Sequence, residues 1–89
     1  MTRYLRNPAV RETALEGEIF LVDGEGREVF YLDAVTSGLW RLLQEPQTIE
    51  SCRAVFAEAF PDAPSERLAQ DLAAALADFE ARGLILEVP

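Results

Sequence analysis

The acidic side chains are the first candidates for chemistry. Asp71 and Asp78 lie seven residues apart, so on a helix they share one face, where two carboxylates could divide general acid and general base roles. That division needs a cleft that lifts the pKa of one of them, and the leucines and alanines between them supply none. Asp78 and Arg82 stand four apart, the spacing of a helix-edge ion pair worth a few tenths of a kcal/mol. The run Asp23-Gly24-Glu25-Gly26 has the glycines of a phosphate-binding loop. Such a loop presents bare N–H groups at a helix N-terminus, usually with a lysine, whereas this one joins two apolar runs and carries two acids. It reads as a hairpin turn, and its two acids fall short of the roughly six oxygen ligands that calcium takes.

The chain has no histidine and one cysteine, Cys52. A zinc site needs about four Cys, His or carboxylate ligands, and a Ser–His or Cys–His nucleophile needs its base. Neither can be assembled, so the expectation is a protein without catalytic residues, metal or cofactor. Cys52 falls within an apolar helical pattern and reads as a small buried hydrophobe. The net charge of −8 argues against nucleic acid, because the eight basic residues are all arginines scattered along the chain and give no patch to neutralise phosphates. No stretch approaches the roughly 18 apolar residues that span a bilayer, and no apolar segment follows Arg3 and Arg6 as in a secretory signal. The expected location is cytoplasmic, with no membrane partner.

The elements that would carry any site follow from spacing. At 89 residues the chain has material for one modest core. Residues 1–8, ending at Asn7-Pro8, read as a flexible N-terminal arm, and residues 9–89 as a single domain. Val10–Leu15 has a weak strand pattern, and Glu16-Gly17 turns it into Glu18-Ile19-Phe20-Leu21-Val22. A glycine-rich turn then leads to Glu28-Val29-Phe30-Tyr31-Leu32. Both strands of this hairpin are apolar on both faces, where an antiparallel pair with one wet face would alternate. One face is expected to meet the protein's own helices and the other a partner. Phe30 and Tyr31 point to opposite faces, so at most one enters the core, and core filling is expected for Phe20 and Trp40.

Three helices follow. Asp33 caps the first, about Ala34–Gln44, with Val35, Leu39, Leu42 and Leu43 on its stripe. Thr48 caps the second, carrying Ile49, Cys52, Val55, Phe56 and Phe60, and Ser65 caps the third, which runs to Arg82 before Gly83 stops it. Leu84-Ile85-Leu86 forms a short strand or packs on the core. Strands followed by helices give an α+β domain, a three-stranded antiparallel sheet with three helices packed on one side, like a winged helix-turn-helix.

The order of Glu18–Asp33, Ala34-Val35-Thr36-Ser37-Gly38-Leu39-Trp40, Phe56-Ala57-Glu58-Ala59-Phe60-Pro61, Asp71-Leu72 and Arg82-Gly83-Leu84-Ile85 resembles the PqqD-like family. These are RiPP recognition elements, small winged helix-turn-helix-like domains that bind the leader peptides of ribosomally made, post-translationally modified peptides. The resemblance covers about Pro8 to Ile85. It departs at Asp33, where the family more often has asparagine, and either residue can cap a helix. It implies a peptide chaperone in which the leader adds as a strand to the third strand of the sheet and presses into the cleft beside the third helix. The implied docking edge is Glu28, Val29, Phe30, Tyr31 and Leu32, with Asp71, Leu72, Ala75 and Asp78 on the opposite wall. The implied partners are a precursor leader peptide and a modifying enzyme, either a radical SAM enzyme or a leader peptidase and cyclase. Acids flanking the cleft would favour a leader carrying Lys or Arg. Two alternatives stand beside this reading: a winged-helix DNA-binding regulator, for which the second and third helices offer only Arg53, Arg67 and Arg82, and a structural homodimer pairing through the same strand edge.

Overall fold

The structure is a computed structural model that describes residues 1–89. Its elements run β1 (Arg3–Arg6), β2 (Arg11–Leu15), β3 (Glu18–Val22), β4 (Val29–Leu32), α1 (Ala34–Leu42), α2 (Ile49–Ala59), α3 (Ser65–Ala81) and β5 (Ile85–Val88). The antiparallel sheet β2-β3-β4 is the expected meander, and β1 and β5 pair antiparallel in a separate ribbon. Residues 1–8, expected as a flexible arm, therefore hold a strand, registered from Arg3 opposite Val88 to Arg6 opposite Ile85. Further bonds fix this segment: Tyr4 and Gln47 exchange backbone hydrogen bonds, and the Asn7 side chain donates to the Gly83 carbonyl at 2.9 Å.

Turn chemistry sets the meander. Glu16 and Gly17 both have positive φ, 54° and 83°, as a two-residue turn matched to strand twist requires. Glutamate is a poor occupant of that left-handed position. Glu16→Asn is expected to raise stability by about 0.5–1 kcal/mol, read as a higher urea midpoint with unchanged slope. In the second turn Gly26 donates to the Asp23 carbonyl and the Asp23 carboxylate accepts from the Arg27 N–H at 2.8 Å.

The caps decide where the helices start. The Asp33 carboxylate accepts from the Thr36 N–H and the Thr36 hydroxyl, each at 2.8 Å, and these two bonds hold its pKa below the ordinary 3.8. A carboxyl depressed on folding contributes its full stabilisation above its unfolded pKa and loses it as pH falls through the lower folded value. Asp33→Ala is expected to cost about 1 kcal/mol at neutral pH. Asp33→Asn keeps the acceptor, so its urea stability should fall less steeply than the wild type's below about pH 4. At α2 the Thr48 and Ser51 side chains cap each other's backbone N–H reciprocally. At α3 the cap is Pro64, with no side-chain bond, and Ser65 is the first helical residue. The Pro64 carbonyl already takes the Leu68 N–H, which removes the donor that a Ser65 hydroxyl would have sought.

The core is one continuous cluster. Ile19, Leu21 and Leu32 from the sheet meet Leu39, Trp40 and Leu43 of α1 and its end, Cys52 and Phe56 of α2, Leu72, Leu76 and Phe79 of α3, and Leu84 and Ile85. Cys52 is fully buried, and loss of hydration raises its thiol pKa. Gly38 lets α1 approach α2, since a Cβ there would lie 3.2 Å from the Phe56 ring. Trp40 ties the layers together. Its indole N–H donates to a Glu12 carboxylate oxygen at 2.7 Å, its ring meets Phe79 edge-on at 6.1 Å, and the Arg6 guanidinium lies 4.4 Å above it. Arg6 also donates to the Trp40 carbonyl at 2.8 Å and faces Glu12 at 3.6 Å, while burial lowers its pKa.

Candidate peptide-binding groove

Period-two alternation divides the hairpin between two surroundings. Leu21 lies opposite Phe30 and Ile19 opposite Leu32, and these four face the helices. Phe20 lies opposite Tyr31 and Val22 opposite Val29 on the far face, where Tyr31 is 55% and Val29 65% exposed. Phe20 is thus not a core residue. It packs at 5.5 Å between ring centres against Tyr31 on the open face, because Ile19 and Leu21 on either side of it take the inward positions. Phe30 is the member of the Phe30/Tyr31 pair that turns toward the helices.

β4 is an edge strand, with β3 on one side and nothing on the other. The Asp23 N–H donates to the Glu28 carbonyl at 3.2 Å, in register with the ladder beyond it. Hydrogen-bonded and non-bonded pairs alternate along an antiparallel ladder, so Glu28, Phe30 and Leu32 direct their backbone groups toward β3. Val29 and Tyr31 direct theirs outward. The open edge consequently offers two N–H donors and two carbonyl acceptors in the spacing of one added strand.

Beside this edge runs a groove of about 270 Å³ lined by Val29, Phe30, Tyr31, Leu32 and Thr36 on one side and Asp78, Phe79, Arg82 and Leu84 on the other. The end of α3 shapes it. Gly83, at φ 71°, turns the chain so that the N–H groups of Gly83 and Leu84 donate back to the Glu80 and Phe79 carbonyls, closing the helix as glycine-stopped helices do. Arg82, the C-cap residue of α3, stands at the rim. Its Nε donates to both Asp78 carboxylate oxygens at 3.0 Å, and its guanidinium carbon lies 5.0 Å from the Phe30 ring centre.

Of the residues expected at the site, Val29, Phe30, Tyr31, Leu32 and Asp78 line the groove. Glu28 precedes β4 with its backbone turned inward. Leu72 is fully buried and supports the wall from behind, while Asp71 and Ala75 continue the Asp78 stripe toward the helix start without bordering the groove. Thr36, Phe79, Arg82 and Leu84 line it as well, outside the expected set. The one sequence signal for Arg82 is its ion-pair spacing from Asp78. Asp78 is paired with Arg82, so the wall presents a carboxylate–guanidinium pair where the expectation was an acidic flank. No set of three His, Cys, Asp or Glu side chains converges to hold a metal ion, and no helix is long and apolar enough to cross a membrane.

Against known families, residues 18–85 match the model described as coenzyme PQQ synthesis protein D (PqqD). The chain belongs to the PqqD family. The match begins at β3 and ends at Ile85, so it spans the edge strand, the groove and the helices of this PqqD domain. Among solved structures it is similar to TbiB1 in complex with the TbiA(beta) leader peptide, with 23% identity and a TM-score of 0.80 over 91% of this chain and 93% of that one. That likeness establishes the shared α+β fold. No curated protein matches the chain.

Proposed function

We propose that this PqqD-family domain is a non-catalytic adaptor. It binds the leader of a ribosomally made precursor peptide as an added strand on β4 and presents the precursor to a modifying enzyme. The observation that carries the reading is the juxtaposition of an unpaired edge at Val29 and Tyr31 with a groove directly beside it, six of whose nine lining residues are hydrophobic. Strand addition satisfies the outward backbone groups, and alternate side chains of the added strand enter the groove. The other side chains lie beside Val29 and Tyr31 on the open face, which gives the outer apolar face of the hairpin a partner. Family membership and the fold shared with a leader-peptide complex support the same reading.

Each backbone hydrogen bond contributes about 0.5–1.5 kcal/mol net. The four available bonds together with two apolar anchors are compatible with a micromolar complex, near −8 kcal/mol after ordering costs. The modifying enzyme is of the radical SAM or leader peptidase and cyclase class, and the protein acts in the cytoplasm. Calorimetric titration with precursor peptides encoded beside the gene tests the adaptor role. One-to-one binding that disappears when the leader is truncated is expected; precursors that bind equally well without their leaders would contradict it. A gel shift with duplex DNA at low salt is expected to show no complex, given the scattered arginines. Light scattering is expected to give a monomer, with the β4 edge free for the peptide and not used by a second copy.

A further inference from the structure

We propose that Arg82 makes the groove select an acidic side chain, so that the bound peptide carries an Asp or Glu on the same face as its apolar anchors. This rests on the strand-addition reading and specifies its ligand. Arg82 uses only Nε toward Asp78, and its two terminal nitrogens make no hydrogen bond within the protein. They project from a guanidinium held over Phe30 at the rim of the groove. A planar guanidinium so held offers paired N–H donors with the geometry of a carboxylate. The Asp78 bonds and the Phe30 ring favour this orientation before any ligand arrives, which lowers the ordering cost of binding.

Competing charge does not reverse the preference. Asp78 is the one acid lining the groove, and its charge is opposed by Arg82 itself. A lysine or arginine on the peptide would share a carboxylate whose charge Arg82 already offsets, whereas a carboxylate meets terminal N–H donors that have no acceptor within the protein. In an added strand, side chains two apart share a face. An acidic residue opposite Arg82 therefore stands two positions from an apolar residue seated against Phe30, Phe79 and Leu84. The ligand class is an extended peptide in which an acidic and an apolar side chain alternate with outward-facing residues.

A display library of random linear peptides, sorted against the full chain and against folded Arg82→Gln, Arg82→Glu and Tyr31→Pro variants, tests this. Wild-type selection is expected to enrich Asp or Glu two positions from an apolar residue. The enrichment should vanish with Arg82→Gln and turn to Lys or Arg with Arg82→Glu. Replacing the acid of a selected peptide by its amide should weaken binding about tenfold to wild type and hardly at all to Arg82→Gln. Binders that depend on the β4 edge, being lost with Tyr31→Pro, but show the same preference toward wild type and the Arg82→Gln variant would overturn the inference and leave strand addition standing. Selection of binders indifferent to Tyr31→Pro, or of none, would overturn strand addition and this inference together.

Discussion

Tyr31→Pro is expected to weaken peptide binding by at least about tenfold while leaving a folded domain. The Tyr31 N–H points away from β3, so proline removes no bond of the existing ladder, and edge strands tolerate proline at such positions. The loss falls on the added strand. One donor disappears, worth about 0.5–1.5 kcal/mol, and the pyrrolidine ring keeps the incoming backbone from approaching its neighbours, so at least about a tenfold to hundredfold weakening follows. Tyr31→Ala isolates the side chain, because it retains the N–H and loses the tilted ring contact with Phe20 and a lining side chain of the groove; a few-fold change is expected. Phe30→Pro should behave in the opposite way. Its N–H serves the ladder and its ring fills the space under Arg82, so a cost of about 3 kcal/mol or more in folding is expected. Titration calorimetry for binding and urea melts for folding separate the outcomes, and a Tyr31→Pro variant that binds normally would show that the peptide does not pair with this edge.

Trp40→Ala is expected to be the most destabilising single change in the protein. The side chain is 1% exposed, and truncating a buried tryptophan costs about 3–5 kcal/mol, a large part of the roughly 5–15 kcal/mol available to a small domain. More than volume is lost. The Glu12 carboxylate loses its indole donor, Arg6 loses the ring beneath it, and Phe79 loses the partner that helps hold the groove side of α3. Trp40→Phe retains much of the packing and forfeits the N–H, so it should fall between wild type and the alanine variant, and Glu12→Gln should be mild because it keeps an acceptor. Trp40 is the single tryptophan, so these melts are followed by far-ultraviolet circular dichroism.

Much of this architecture is legible in the sequence because its signals are local. Apolar runs flanking Glu16-Gly17 and Asp23–Arg27 define the meander, Asp33 and Thr48 announce their helices, and Gly83 ends the third. Alternation places Phe30 and Tyr31 on opposite faces without saying which is inward; that is decided by the pairing of Phe30 with Leu21. The β1–β5 ribbon is not legible, since it joins Arg3–Arg6 to residues at the other end of the chain and a strand of four residues is too short to carry a periodic signature. The groove is half legible. Helical spacing groups Asp71, Leu72, Ala75 and Asp78 on one side of α3, but one residue of rotation separates the buried Leu72–Phe79 line from the Asp71–Asp78 line, and only packing fixes where the core ends. Thr36 and Leu84 reach the groove through tertiary approach. Arg82 does so through its bonds to Asp78 and its place over the Phe30 ring, the second of which is a tertiary contact.

Completion of the sheet at β4 by another chain is measured most directly by hydrogen exchange resolved at single amides. In the free protein the Val29 and Tyr31 amides should exchange rapidly and those of Phe30 and Leu32 slowly. With a saturating leader peptide, Val29 and Tyr31 are expected to become protected while Phe30 and Leu32 change little. A peptide that binds and leaves the Val29 and Tyr31 amides exchanging as freely as before would contradict strand addition at this edge.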